Sequence, residues 1–264
     1  MKSHLSLSGK RALVGGSTQG IGYAVAIELA NLDAEVVVIS RNEEKLKSVV
    51  EELNEINKQN NSYLVADNND PASLEESVKS FLSTGKSFHI LINNTGGPPG
   101  GQAINADIQE YYDAFRNHLI CNQILVKLLV DGMKKESYGR IINIISGSVK
   151  QPIPNLGVSN TIRGAVANWA KTLANELGQF NITVNNILPG MAKTQRLASI
   201  VSSNAEKQGI SINDMEQKYF ETIPANRFGE ASEIAYATAF LASPAASYIN
   251  GINLPVDGGR TKSL

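Results

Sequence analysis

Ala12-Leu13-Val14-Gly15-Gly16-Ser17-Thr18-Gln19-Gly20-Ile21-Gly22 runs from a short apolar segment through a glycine cluster into an amphipathic one, residues 21–31. Glycines at 16, 20 and 22 let the backbone turn sharply and come close to a ligand. A helix that starts there points free N–H groups, at its positive dipole end, toward a pyrophosphate. The spacing is G-x-x-x-G-x-G, not the general G-x-G-x-x-G dinucleotide pattern. Glycines collect in turns anyway, so the position between a first strand and a first helix is what gives this cluster weight.

Outward from that stretch the same rhythm repeats. Short apolar runs, rich in β-branched residues, occur at Val36-Val37-Val38-Ile39, Tyr63-Leu64-Val65, Ile90-Leu91-Ile92, Ile141-Ile142-Asn143-Ile144-Ile145 and Ile182-Thr183-Val184. They are apolar on both faces, as buried parallel strands are. Helical patterns over 43–58, 73–83, 111–134 and 161–177 separate them, and a helix over 231–241 precedes a last short strand near 252–256. Strand then helix, repeated six times, predicts an α/β fold: a single doubly wound domain over 1–264, with about seven parallel strands flanked by helices on both faces. Residues 192–226 break the rhythm. The segment is long and polar where a crossover helix is expected, and it reads as an irregular loop, either a substrate lid or a solvated excursion.

Composition narrows the function classes. The 24 basic and 25 acidic residues nearly cancel, and no basic patch is interleaved with aromatics, which argues against a nucleic-acid partner. One cysteine, Cys121, excludes an internal disulfide framework and a thiolate-rich zinc site; no metal is expected. No apolar run approaches the roughly 18 residues of a membrane span, and residues 1–6 lack an apolar signal core, so a cytoplasmic protein is expected. About twenty residues beyond such a cradle an acid would bind a ribose 2′-hydroxyl, whereas an arginine accommodates a 2′-phosphate. Here the second strand ends Ile39-Ser40-Arg41-Asn42. Arg41 therefore points to NADP(H) over NAD(H), unless it is merely a charge at a helix start.

At this point the chain resembles the short-chain dehydrogenase/reductase family over essentially its whole length, and within it the 3-oxoacyl-acyl-carrier-protein-reductase-like branch. Gly16, Gly20 and Gly22 match its glycine motif, which extends the cofactor cradle to Ser17, Thr18 and Ile21. Asn93-Asn94-Thr95-Gly96 resembles its N-N-A-G segment, which supports the sheet and borders the cofactor, with Asn93 and Gly96 as cofactor contacts. Asp67 stands where an acid meets the adenine amine. Pro189, Gly190 and Thr194 resemble the P-G-x-x-x-T stretch beside the nicotinamide, and Val256-Asp257-Gly258-Gly259 the branch's C-terminal V-D-G-G. The resemblance implies a Rossmann-type fold, a homotetramer or dimer, and a small-molecule carbonyl or alcohol substrate.

It also implies four catalytic side chains, of which one is found. Ser146, ending the fifth strand, has the serine position. The tyrosine expected thirteen residues later is Ser159, and the lysine four beyond it is Arg163. The asparagine position falls on His118, with Asn117 adjacent. An aliphatic hydroxyl is a far poorer acid than a phenol, and it is shorter. Arginine keeps the charge, able to hold the ribose, but does not release a proton. His118 is the candidate donor, since an imidazole titrates near neutrality; the alternative is a structural histidine in a packed helix. Ser148 is a backup hydroxyl, and Pro98-Pro99-Gly100-Gly101 a stiff loop that could border a substrate. Three functions stay open: an oxidoreductase with rebuilt proton delivery, a dinucleotide-binding protein without turnover, or, as the weakest, a different chemistry such as dehydration or isomerisation on the same scaffold.

Overall fold

The structure, a computed structural model, describes residues 4–263. Among these, seven strands form one sheet: β1 (Arg11–Gly15), β2 (Glu35–Ser40), β3 (Ser62–Val65), β4 (Ile90–Asn93), β5 (Gly139–Ile144), β6 (Ile182–Pro189) and β7 (Asn253–Val256). All pairs are parallel, in the order β3-β2-β1-β4-β5-β6-β7. The order reverses between β1 and β4, which opens a crevice at their carboxyl ends, the usual ligand position in such sheets. The doubly wound architecture read from the sequence is the one observed.

Alternation within each strand divides two apolar layers. Ala12 and Val14 of β1, Val36 and Val38 of β2 and Ile90 and Ile92 of β4 pack under α1 (Gly20–Asn31), α2 (Glu43–Ile56) and α9 (Ala231–Ala242). Leu13, Val37, Leu91 and Ile141 face the other way, toward α3 (Pro71–Leu82), α5 (Cys121–Lys135) and α6 (Gly157–Leu177). Helix starts follow local chemistry. Asn42 caps α2 by accepting from Lys45 N at 2.9 Å, and Asp70 caps α3, whose first residue is Pro71, by accepting from Ser73 N at 3.1 Å.

A polar ladder crosses the buried sheet. Asn93 Nδ2 donates to Asn143 Oδ1, Asn143 Nδ2 to Asn186 Oδ1, and Asn186 Nδ2 to Asn253 Oδ1, each at 2.8 Å. The register makes this possible, because each donor's strand partner is the next asparagine. It pins the relative positions of β4 to β7, since a slip of one residue would bury unpaired amides.

Two elements differ from the sequence expectation. Residues 192–226 are not irregular: they hold α7 (Gln195–Gln208) and α8 (Ile212–Phe220), closed over a small core of Leu197, Val201, Met215, Ile223 and Phe228. Their apolar residues are sparse, so the polar face dominates the composition and hides the helical period. The helix expected over 111–134 begins earlier, as α4 (Ile108–Phe115), and reaches α5 through a turn of π-helix at Arg116–Ile120. Such turns are rare and concentrate at functional sites. His118 lies in this one.

Candidate active site

The glycine cradle is built as its spacing requires. Gly16 and Gly20 have φ of 57° and 60°, a left-handed backbone that glycine adopts without strain. A Cβ on Gly22 would collide with the Gly16 carbonyl oxygen and lie 2.6 Å from Asn94 Nδ2. That amide donates to Gly15 O at 3.1 Å and Gly16 O at 3.3 Å, tying the cradle to the end of β4. Ser17 is fully buried, its hydroxyl 3.5 Å from Ile39 O, and Ile21 packs against the core. The space kept free of side chains above the start of α1 fits a pyrophosphate.

Beside it, Thr18 Oγ1 lies 3.5 Å from Ser40 Oγ, and the Arg41 side chain is 70% exposed. Arg41 also lies 3.8 Å from Asp67, whose other carboxylate oxygen accepts from Asn69 N at 2.9 Å. These residues, expected at the adenosine end of a dinucleotide, stand in two neighbouring pairs, Thr18 with Ser40 and Arg41 with Asp67. Of the segment expected to support the sheet and border the cofactor, the Asn93 side chain is committed to the ladder inside the sheet, and it is Asn94 that braces the cradle. The sequence signal was present, as two adjacent asparagines, but their alternation across the strand decides which faces which way.

Opposite, Gly190 N donates to Val256 O at 2.9 Å, and a Cβ at 190 would come within 2.6 Å of Asp257 Cα. Asp257 in turn accepts from Gly259 N and Thr261 N, at 2.9 and 2.8 Å, which explains the acid and glycines of the C-terminal motif. Thr194 caps α7, and its methyl lies 3.3 Å from where a Cβ on Gly20 would stand. The cradle, the residues after β6 and the start of α7 therefore meet.

Ser146 follows β5 and caps the short helix Gly147–Val149, accepting from Ser148 N at 3.1 Å. Ser148 Oγ is buried without a protein partner among the described residues. Ser159 and Arg163 lie one turn apart on the same face of α6, both at least nine-tenths buried. Arg163 Nη1 donates to Ile144 O at 3.1 Å, which brings its guanidinium to the strand end that presents Ser146; its Nε is buried without a partner. Burial first, then the charge of Arg196, pushes the guanidinium down to about 10, still cationic at neutral pH.

His118 is where the expectation fails. The imidazole is 2% exposed, and burial, followed by the charges of Arg163 and Arg196, pushes it down to about 2. A hydrogen bond to the Gly96 backbone works the other way without restoring it. His118 is therefore a neutral ring, not an acid that titrates near neutrality. Asn117, its neighbour, points elsewhere and donates to Asn69 Oδ1 at 3.0 Å. Arg196, which the sequence reading passed over, lies in α7 and donates to Gly97 O at 3.0 Å and Pro98 O at 3.1 Å. No local motif marks it; only the fold brings it to this loop.

Comparison with known proteins agrees with this geometry. Residues 16–261 match the family model described as enoyl-(acyl carrier protein) reductase. The chain is 32% identical over 262 residues to the NADPH-dependent reductase BacG of Bacillus subtilis, covering 98% of this chain and 100% of that one. It is 34% identical over 255 residues to a 3-oxoacyl-[acyl-carrier-protein] reductase of Haemophilus influenzae, covering 96% and 98%. Among solved structures, L-sorbose reductase from Gluconobacter frateurii, complexed with NADPH and L-sorbose, superposes with a TM-score of 0.93 at 28% identity, covering 99% of this chain and 100% of that one. YwfH, an NADPH-dependent reductase involved in bacilysin biosynthesis, superposes at 0.91 with 31% identity, covering 97% and 99%. On the cradle, the strand order and these matches, the chain belongs to the short-chain dehydrogenase/reductase family of NAD(P)(H)-dependent oxidoreductases.

Proposed function

We propose that this protein binds NADP(H) and catalyses hydride transfer between it and a carbonyl or alcohol, with Ser159 and Arg163 at the positions of the family's tyrosine and lysine. The observation that carries the reading is the buried, cationic Arg163 anchored on Ile144 O, next to the strand end that leads to Ser146. Gly16, Gly20 and Gly22 with the start of α1 would hold the pyrophosphate, and Thr18, Ser40 and Arg41 the 2′-phosphate. Asp67 would meet the adenine, Arg163 the ribose, and Pro189, Gly190 and Thr194 the nicotinamide. The reduced dinucleotide, when bound, supplies the hydride.

Ser146 Oγ orients the substrate oxygen by donating to it. As negative charge grows on that oxygen, the Arg163 guanidinium stabilises it electrostatically in a site with little water. Ser159 Oγ is too short and too weakly acidic to deliver the proton itself, so it holds a water that does. His118 remains neutral and secures the Gly96 turn. The α7–α8 hairpin serves as the substrate lid, supported by the two bonds from Arg196 to the facing loop. A homo-oligomer is supported by exposed apolar side chains on the outer helices, among them Ile108, Tyr112, Tyr236 and Phe240.

One observation favours the second reading, a dinucleotide-binding protein without turnover. His118 is neutral and Arg163 charged across the working pH range, so neither exchanges a proton near neutrality. NADPH consumption with a panel of ketones, diketones and 3-oxoacyl thioesters separates the two. Turnover that falls by roughly 10²–10³-fold in Ser146→Ala, while NADPH still binds, is the expected result. Tight NADPH binding with no consumption across the panel overturns the oxidoreductase reading.

A further inference from the structure

Beyond β3 the chain turns through Asp67-Asn68-Asn69 before Asp70 caps α3. Val65 is paired with Ser40 in the sheet, so this turn and Arg41 stand side by side past the carboxyl ends of β3 and β2. One carboxylate oxygen of Asp67 is engaged twice: Oδ1 accepts from Asn69 N at 2.9 Å and from Asn69 Nδ2 at 3.1 Å. The first bond is an Asx turn, which any residue at 69 with a backbone N–H can complete; the second requires a side-chain donor there. The other oxygen, Oδ2, has only Arg41 near it among the described residues, at 3.8 Å, longer than a hydrogen bond.

Asn69 is exposed, and an exposed amide bonded to a single neighbour would rotate. Here a second element fixes it. Its Oδ1 accepts from Asn117 Nδ2 at 3.0 Å and from Arg116 Nη2 at 3.3 Å, both in the π-helical turn. With its oxygen facing those two donors, the amide must turn Nδ2 toward Asp67. Asn68 joins the same seam: Nδ2 donates to Asn117 O at 3.2 Å, and its carbonyl accepts from Cys121 Sγ at 3.3 Å. Residue 69 therefore has to donate on one side and accept on the other, which a carboxylate or an ammonium cannot do.

The turn does not need this seam to close. Asp70 N already donates to Asp67 O at 2.9 Å, and Asp70 caps the helix that follows. The added bonds run from the π-helical turn through one amide to one carboxylate oxygen. Holding Oδ1 fixes the direction of Oδ2, and a group held in advance loses less freedom when it binds a ligand. We propose that Asn69 is a positioning residue for adenine recognition, fixing Asp67 through Oδ1 so that Oδ2 meets the exocyclic amine of the cofactor's adenine, with Arg116 and Asn117 fixing Asn69 in turn. This rests on the NADP(H) reading above, in which Asp67 meets the adenine, and deepens it by naming what orients that acid.

Binding is read from the fluorescence of the reduced nicotinamide, without turnover, for NADPH and for its hypoxanthine analogue, in which a carbonyl replaces the adenine amine. The wild-type protein is expected to prefer NADPH by roughly tenfold or more, the worth of a hydrogen bond to a charged group. Asn69→Ala keeps the Asx turn and loses the second bond. It should shrink the preference by about threefold or more, and the analogue should bind within about twofold of its wild-type affinity. Asp67→Ala should abolish the preference, and Asn69→Ala added to it should move neither affinity by more than about twofold, since the two residues act as one unit.

An Asn69→Ala that weakens both cofactors alike, or leaves the preference whole, overturns the proposal, because a merely structural turn residue would do either. If that variant fails to fold, Asn117→Ala, which removes a donor to Asn69 Oδ1 and leaves Asn69 in place, is judged by the same two affinities. Equal binding of the two cofactors by the wild type overturns the proposal and leaves the NADP(H) reading standing; no binding of either overturns both. The expected preferences in a protein that consumes no NADPH would sink hydride transfer and leave this proposal intact.

Discussion

Asn94 and Gly22 occupy one space from opposite sides: the Asn94 amide, donating to Gly15 O and Gly16 O, lies 2.6 Å from the point where a Cβ on residue 22 would be. The end of β4 and the first turn of α1 are thereby locked together through the cradle between them. Gly22→Ala must push the amide or the helix away. The expected cost is about 1–3 kcal/mol in stability, typical of overpacking, together with loss of measurable NADPH binding. Urea unfolding and a fluorescence titration check both, and wild-type affinity in the variant would refute the cradle as the cofactor site.

Arg41 is exposed just after β2 and follows Ser40, whose Oγ lies 3.5 Å from Thr18 Oγ1. Arg41→Ala is expected to weaken NADPH by roughly 10- to 150-fold, the worth of about 1.5–3 kcal/mol for a charge-assisted hydrogen bond. NADH, which lacks the phosphate, should be affected no more than twofold. If both cofactors weaken equally, Arg41 does not read the 2′-phosphate.

The asparagine ladder makes a stability prediction independent of function. Asn143→Leu removes the acceptor of Asn93 Nδ2 and the donor to Asn186 Oδ1 in one step. Two orphaned buried groups should cost about 2–5 kcal/mol, read from the urea midpoint at constant slope. A loss under about 1 kcal/mol would mean the strands relax and re-pair, contrary to a pinned register.

His118 links folding to acid. In the unfolded chain the ring titrates near 6.5, whereas folded it stays neutral to about 2. Between those values the unfolded state binds the extra proton, so stability rises with pH there. The contribution is complete above about pH 6.5 and is lost as pH falls, by at most about 1.4 kcal/mol per pH unit. His89, buried and accepting from Arg11 N through Nδ1, is depressed as well and adds a slope of the same sign. His118→Asn should therefore flatten, but not abolish, the fall in midpoint between pH 6.5 and 4.5. An unchanged slope would show that the ring is not held neutral.

A double substitution at 159 and 163 tests the proposed proton delivery. Ser159→Tyr with Arg163→Lys introduces a phenol next to a cation, which general acid catalysis rewards with about 10²–10⁴-fold. Turnover is expected to rise by at least tenfold and to acquire an alkaline limb where the phenol ionises. A rate unchanged in size and pH profile would mean that proton delivery does not limit the native site.

What the sequence alone determined was local and periodic. Apolar β-branched runs at 12–14, 36–39 and 90–92 name buried strands because both faces of a parallel sheet are covered. Gly16, Gly20 and Gly22 name the cradle because two need a left-handed backbone and the third has no room for a Cβ. The tertiary structure alone decided the rest. Asn94 rather than Asn93 faces the cradle because strand side chains alternate, and a helical hairpin stands at 195–220 because sparse apolar residues find each other in three dimensions. His118 is neutral because burial and two guanidiniums, 45 and 78 residues away in the chain, outweigh its intrinsic basicity. Arg196 reaches the 96–98 loop across 98 residues of chain. Desolvation and contact between distant segments belong to the folded shape, and no local pattern encodes them.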